Sequence, residues 1–401
     1  MSEPHVILAG DFPFPQGTAA SARFRNLALG LVDAGRTVSV LSLANDGDVA
    51  RQATLAPGVR YSPPDLPVLA YRNRGIRARL GWLATLRRKS RLAARAFDAE
   101  LARRRPELAV LYGRSYLRLR PFIRAARRHG VPVVLDCVEA NTSFVGFGGK
   151  LSPVYWDWAM GERCLPGMVD GMSLITTTLE RDAVRRGARQ THLLPSAEDF
   201  SAAPPEHPVR TGPYRVAYMG AMLPRDNPAF LADLVDTMAA RASGVQFDIA
   251  GRYESVREAA PFVARLAAHV ASGRVRLHGA LPDAALAGLL AGADALIVPR
   301  RDAPAEVAAF PTRLAECLRT ARPVLACAVG DIPYHLRDGE DAVLLDPADA
   351  AGAAAKVETL AASPDRGRAL GIRGYLRGRE RFDRAVHARA LLDLADRVRR
   401  P

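Results

Sequence analysis

An α/β fold of two doubly wound, parallel-sheet domains is predicted from three observations on the sequence. The 401 residues suit two domains of this class better than one. Short apolar runs alternate with amphipathic stretches through both halves of the chain. The proline-rich stretch Phe200–Pro213 (FSAAPPEHPVRTGP) has no periodicity and reads as a linker between the two series.

In the first half, His5–Gly10 reads as a buried strand, Asp11–Gly17 as a loop and Ala20–Ala34 as a helix closed by Gly35. Val38–Leu43, Leu108–Tyr112, Val131–Asp136 and Gly171–Thr176 are further strands. In the second half the strands are Tyr214–Gly220, Phe247–Gly251, Val275–His278, Ala295–Pro299, Val324–Cys327 and Ala342–Leu345. Helical spacing recurs between them at Ala229–Ala242, Val256–Ala271, Leu286–Ala291, Thr312–Thr320 and Ala350–Ala362. Strands alternating with helices imply parallel sheets covered on both faces. Domains are expected over 1–200 and 213–380, with a last helix, Phe382–Arg399 within 381–401, packing back on the first domain. Two such domains are expected to face each other across a cleft, and ligands bind such sheets outside the carboxyl ends of their strands.

Composition narrows the class. Hydrophobic residues make up 49% and charged residues 24%, as in a globular protein with a sizeable core. The four cysteines, Cys137, Cys164, Cys317 and Cys327, show no C-x-x-C spacing, so neither a zinc site nor a disulfide framework is indicated. The first residues have no basic segment followed by a long apolar run, so no signal peptide is read. No apolar run approaches the ~18 residues of a membrane span, and a cytoplasmic location is expected.

The net charge of +14 is concentrated. Tyr71–Gly130 holds 18 Lys plus Arg against Asp98, Glu100 and Glu107, a local charge of +15. Within it Arg72, Arg74, Arg77, Arg79, Arg87 and Arg88 flank Ile76, Leu80, Trp82, Leu83 and Leu86. That mixture fits either a helix resting on an anionic membrane or a solvated arginine-rich face. Nucleic acid is not an expected partner, because no recognised nucleic-acid module accompanies the charge. The oligomeric state is left open.

The second half carries one extended motif. Phe310, Glu316, Pro323, Val324, Ala326, Gly330, Ile332, Pro333, Asp338, Gly339 and Glu340 stand in order over about 40 residues within PTRLAECLRTARPVLACAVGDIPYHLRDGEDAVLLDP and the phenylalanine before it. This stretch resembles the donor-nucleotide signature of the retaining family 4 glycosyltransferases of GT-B fold. Weaker likenesses are Tyr218-Met219-Gly220, Asp248-Ile249-Ala250-Gly251, Pro195 with Asp199 and Phe200, and the glycine loop Phe14–Arg25.

The resemblance implies a sugar transfer from a nucleoside-diphosphate sugar, UDP- or GDP-linked, to the oxygen, nitrogen or sulfur of a small-molecule or lipid-linked acceptor, with retention, in specialised-metabolite or cell-envelope glycan synthesis. No cofactor and no metal is implied; the nucleotide sugar is a co-substrate. The donor side would be Gly17, Gly220, Phe310, Pro311, Thr312, Arg313 and Glu316. Glu316 would receive ribose hydroxyls. The free amides at the start of the Thr312–Thr320 helix, with the Thr312 hydroxyl, would cradle the diphosphate. The acceptor side would be Thr18, Asp136 and Glu139, carboxylates at a strand exit being placed to bind or deprotonate an acceptor hydroxyl. Loop capping is the alternative for Glu139, and core packing the alternative for Phe310. The glycine-rich loop Asn141–Tyr155 is expected to be either an acceptor loop or plain surface.

The sequence departs from the family pattern at three positions. The first glutamate of the family's pair falls on Ala308, with Glu306 two residues before it. The arginine and lysine that follow the strand glycine fall on Ala221 and Asp226. Arg225 is the first candidate to replace the missing cations and Arg252 the second, with Arg300 and Arg301 behind them; Arg225, Arg252 and Glu139 form the expected catalytic set. The departures leave open an unusual donor pocket, another GT-B enzyme such as an epimerase or a pseudo-glycosyltransferase, and a catalytically inactive partner protein.

Overall fold

The computed structural model describes residues 4–15, 17–43, 55–61, 76–140, 149–207, 212–253 and 256–399, with 76–86 described by backbone only. The chain forms two compact units, Met1–Ala197 with Arg384–Pro401, and Glu198–Asp383.

The first unit is built on seven parallel strands: β1 (His5–Gly10), β2 (Thr37–Ser42), β3 (Val59–Tyr61), β4 (Leu108–Tyr112), β5 (Val133–Cys137), β6 (Gly171–Leu174) and β7 (Thr191–Leu193). Their order in the sheet is β3-β2-β1-β4-β5-β6-β7. Among the described residues the α-helices between them are α1 (Ala19–Asp33), α2 (Ile76–Arg104), α3 (Tyr116–Arg128), α4 (Pro153–Cys164) and α5 (Thr177–Arg185). β1 is buried along its whole length, as its unbroken apolar run requires for a central parallel strand. The strand order reverses direction between β1 and β4, the point where doubly wound sheets open a crevice.

The second unit repeats the plan with β8 (Arg215–Met219), β9 (Gln246–Ala250), β10 (Val275–Gly279), β11 (Ala295–Val298), β12 (Val324–Cys327) and β13 (Val343–Leu345), in the order β10-β9-β8-β11-β12-β13. Its reversal lies between β8 and β11. Its helices are α6 (Pro228–Ala240), α7 (Ala260–Arg265), α8 (Ala267–Ala271), α9 (Asp283–Gly292), α10 (Pro304–Val307), α11 (Arg313–Arg319), α12 (Ile332–His335), α13 (Ala350–Ala361) and α14 (Pro364–Phe382). The chain then returns to the first unit as α15 (Arg384–Arg399), whose Leu391, Leu394 and Ala395 join the core around β1 and α1.

Several elements differ from the sequence expectation. The helix expected over Val256–Ala271 is broken into a 3-10 turn at Arg257–Ala259 followed by α7 and α8; Pro261 has no N–H and is accepted only in a first helical turn. Phe382 does not start the last helix. It ends α14, fully buried, and extended Asp383 separates it from α15. Short β3 and β7 and long α14 had no clear signal, because three-residue strands show no period and α14 carries Gly367, Gly371, Gly374 and Gly378 on its buried face. The expected linker begins inside the second unit: Phe200 is buried against Tyr375, whose hydroxyl donates to the carbonyls of Phe200 at 3.2 Å and Ala202 at 2.6 Å. Among the described residues no helix is long and apolar enough to cross a membrane.

Candidate active site

At the β8–β11 reversal of the second unit, β8 ends in Tyr218-Met219-Gly220 and β11 runs out into Pro299-Arg300-Arg301. The packing there is tight. A Cβ on Gly220 would lie 2.1 Å from both Arg313 Nη1 and Tyr218 Oη, and one on Gly251 would lie 1.7 Å from the Gly220 carbonyl oxygen. Only glycine allows backbone and guanidinium to approach so closely.

Arg313, the first residue of α11, is the centre of this cluster. Its Nη2 is 2.8 Å from Asp226 Oδ1, and its Nη1 donates to Tyr218 Oη at 2.9 Å and to the Met219 carbonyl at 3.0 Å. Asp226 also accepts from Tyr218 Oη at 3.1 Å and from the Leu223 amide at 3.3 Å. The carboxylate side chain is 4% exposed and the guanidinium 21%. Burial pulls the Arg313 pKa down, but Tyr218 and Asp226 beside it outweigh burial and hold it above the ordinary arginine value. Where the family pattern has a lysine, this chain has a carboxylate that holds an arginine delivered from a distant helix.

Three more arginines stand nearby. Arg225 is exposed on the turn Pro224–Asp226. Arg300 is 5% exposed and donates to the carbonyls of Glu306 at 2.7 Å and Ala309 at 2.8 Å, so it braces the loop before α11. Burial lowers its pKa to about 10, and it feels the charges of Glu306, Arg313, Asp226 and Arg225. Arg301, half-exposed, pairs with Glu306 Oε1 at 2.7 Å. Glu306 is 4% exposed, and its Oε2 has no hydrogen-bond partner among the described residues. Four arginines and two carboxylates thus gather at the strand ends, a net positive cluster.

The other donor-side residues are placed as follows. Phe310 is 6% exposed and packs against His335 and Phe382 at ring distances of 5.3 and 5.6 Å, so its ring belongs to the core. Pro311 is buried beside it. Thr312 precedes α11 half-buried, with no side-chain cap bond. The amides expected to bind phosphate are partly spent: α11 has only seven residues, and the amides of Leu314 and Ala315 already donate to the carbonyls of Pro311 and Thr312 at 2.9 and 3.1 Å. Glu316 is half-buried one turn on, and Arg252 is exposed after Gly251.

In the first unit the expected acceptor residues have separate surroundings. Asp136 is fully buried. Its carboxylate receives both Nε and Nη2 of Arg23 at 2.8 Å and Ser173 Oγ at 2.6 Å, while Arg23 also donates to the Leu194 carbonyl at 2.7 Å. Asp136 is therefore one half of a core ion pair, its side chain leaving β5 toward α1 and away from solvent. Thr18 caps α1, accepting from the Ser21 amide at 3.3 Å, and Gly17 is exposed in the loop before it.

Glu139 does reach a pocket. A cavity of about 280 Å³ lies over the β1–β4 reversal, with Asp11, Arg114, Arg118, Glu139, Asp157 and Trp158 in its wall. Glu139 Oε2 is 2.7 Å from Arg114 Nη2; the carboxylate is 52% exposed and the guanidinium 9%. Arg114 also donates to the Ala140 carbonyl and lies 3.8 Å over the Trp158 ring. Asp11 pairs with Arg118, and Asp157 accepts from Ser115 Oγ and from the Leu117 amide at 2.8 Å. Sequence reasoning passed over Asp11, Arg114, Arg118 and Trp158. Their one local signal was position, since Asp11 follows the first strand directly and Arg114 and Arg118 lie one helical turn apart after β4. Among the described residues no group of His, Cys, Asp or Glu is arranged to hold a metal ion. The side chains of Arg72–Leu86 and residues 141–148 of the glycine-rich loop lie outside the described residues.

Two doubly wound units, each a parallel sheet covered by helices, are the architecture of the GT-B fold. Comparison with known proteins agrees. The profile described as "Glycosyl transferases group 1" matches residues 213–363, and that described as "Glycosyl transferase 4-like domain" matches residues 18–197. The chain belongs to the GT-B glycosyltransferases of family 4, and it is an enzyme of the glycosyltransferase class. Among solved structures, sucrose-phosphate synthase from Thermosynechococcus elongatus is 19% identical with a TM-score of 0.75, covering 98% of this chain and 99% of its own. Anabaena HepE in complex with UDP-glucose is 13% identical with a TM-score of 0.64, covering 97% and 99%. A glycosyltransferase from Rickettsia africae is 10% identical with a TM-score of 0.68, covering 99% of both chains. At these identities the likeness is one of fold. No curated protein matches the chain by sequence.

Proposed function

We propose that this enzyme moves a sugar from a UDP- or GDP-linked donor held by the second unit to a hydroxyl, amine or thiol of an acceptor held by the first, with retention and without a metal. The observation that carries the reading is the Arg313–Asp226–Tyr218 cluster against Gly220. A guanidinium fixed at the sheet reversal stands where a leaving diphosphate gathers negative charge, and a preorganised cation there stabilises the transition state by several kcal/mol. HepE, which shares the fold, has been solved with UDP-glucose; that supports UDP as the first nucleotide to try.

In this reading the bond from the anomeric carbon to the diphosphate breaks with its electron pair leaving on the phosphate. The sugar passes through an oxocarbenium-like state. The acceptor atom bonds on the same face, and its proton passes to the leaving phosphate or to Glu139. Arg313, whose side chain is 21% exposed where its Asp226 partner is only 4% exposed, and exposed Arg225 bind the diphosphate, with Arg252 and Arg301 flanking them. Glu316 receives the ribose hydroxyls. The unpartnered Oε2 of Glu306 takes the sugar-hydroxyl role left vacant at Ala308. The exposed Arg87, Arg88, Arg91 and Arg95 of α2 support a peripheral contact with anionic lipid on the cytoplasmic side. Equal sedimentation with neutral and anionic vesicles would remove that part.

The test of the main reading is thermal denaturation with UDP, GDP, TDP and ADP, with and without magnesium. One nucleotide should raise the melting temperature equally in both conditions. No shift with any of the four, or a shift that needs magnesium, overturns the reading.

A further inference from the structure

The pocket of the first unit has a charge pattern that selects among acceptors. Its two guanidiniums are each already matched: Arg118 by Asp11, and Arg114 by Glu139 at 2.7 Å. A third carboxylate, Asp157, occupies the start of α3, accepting from Ser115 Oγ and the Leu117 amide. Backbone amides at that helix start would otherwise favour an anion. Among the described residues of the wall two cations therefore face three carboxylates. A phosphate entering the pocket would have to break a salt bridge and then lie beside carboxylates, a like-charge arrangement that costs binding.

The same wall suits hydroxyl groups. Half-exposed Glu139 and Asp11 keep lone pairs for O–H donors, and the arginines keep N–H groups for hydroxyl oxygens. Trp158 and the buried Leu119 give the wall an apolar share. The volume of about 280 Å³ falls just under the range of drug-sized sites, which fits one ring and not an extended chain.

We infer that this pocket takes a single uncharged or aminated polyhydroxyl ring, and that it rejects a phosphorylated one. The inference rests on the reading of the first unit as the acceptor side. It names the acceptor class as an unphosphorylated sugar or cyclitol at the position of attack.

The test is saturation-transfer NMR on the whole chain, in the presence of whichever nucleoside diphosphate gives a thermal shift. The probes are methyl α-glucopyranoside, glucosamine and glucose 6-phosphate. The first two should bind and the third should not. Asp11→Asn, which removes the carboxylate paired with the partly buried Arg118, should strengthen glucose 6-phosphate binding by about fivefold, the size of one partly exposed charge interaction. The inference is overturned if the wild type binds glucose 6-phosphate as well as the uncharged sugars, if Asp11→Asn brings no gain, or if no probe binds while the nucleotide shift persists. Loss of the nucleotide shift itself counts against the functional reading, so the two failures are told apart.

Discussion

Arg313 and Asp226 form a buried ion pair 2.8 Å long, and the arginine also bonds the hydroxyl of Tyr218, 95 residues away in sequence. The pair puts a carboxylate where the family pattern has a lysine and brings an arginine to it from another element. Breaking such a pair by removing one partner leaves a buried charge without compensation.

The pair can be dissected. Arg313→Ala should destabilise the protein by about 3 kcal/mol and abolish the nucleotide-dependent thermal shift. The double variant Arg313→Met with Asp226→Asn removes both charges, and its stability should return to within about 1 kcal/mol of the wild type. Its nucleotide shift should stay absent. Urea unfolding and the thermal-shift screen measure the two effects separately; restored binding in the double variant would mean that Arg313 has only a structural part.

Gly220→Ala places a methyl group 2.1 Å from Arg313 Nη1 and Tyr218 Oη. The guanidinium must move. A stability loss of about 1–3 kcal/mol is expected from the overpacking. Nucleotide affinity should fall with it, read by titration calorimetry. Unchanged affinity would show that the ligand does not approach this turn.

Arg225 is exposed, so Arg225→Ala should leave stability within about 0.5 kcal/mol. Nucleotide affinity should fall about fivefold at low salt, and less in high salt where exposed charges are screened. A salt-independent loss would point to a direct structural effect.

Asp136→Ala removes the partner of buried Arg23 and should cost about 3–5 kcal/mol in chemical denaturation. A variant as stable as the wild type would contradict the core role and return Asp136 to the acceptor side.

Acid should unfold the protein in a defined window. Burial lowers the pKa of His5, His192 and His335 from 6.5 to about 4 in each case. Between those values the unfolded chain binds protons that the folded chain refuses. The stability from these groups is therefore complete above pH 6.5 and is lost progressively as pH falls toward 4. His335 has no partner for either ring nitrogen among the described residues, and His335→Leu should flatten the pH slope of the melting temperature. An unchanged slope would assign the acid sensitivity to other groups.

Much of the molecule was legible in the sequence because its cause is local. The unbroken apolar runs of β1, β4 and β12 marked buried parallel strands. Gly220 and Gly251 marked the strand ends, and the ordered motif from Phe310 to Glu340 marked the family. These features depend on residues within a few positions of one another. The partners of Asp226 and Asp136 do not: Arg313 and Arg23 reach them across the sheet, the latter over 113 residues. Sequence places both aspartates just beyond or at a strand end, where a carboxylate is equally a ligand or an ion-pair partner. Burial decides between those outcomes, because a charge withdrawn from water must find its counter-charge inside the fold. The pocket around Arg114, Arg118 and Trp158 was hidden for the same reason, since Asp11, Glu139 and Asp157 neutralise its arginines only after β1, β5 and α4 have been brought together. The sequence by itself thus determined the two doubly wound units and the enzyme family, through periodicity and turn chemistry. Only the tertiary structure decided which charges are spent in the core and which remain for a ligand.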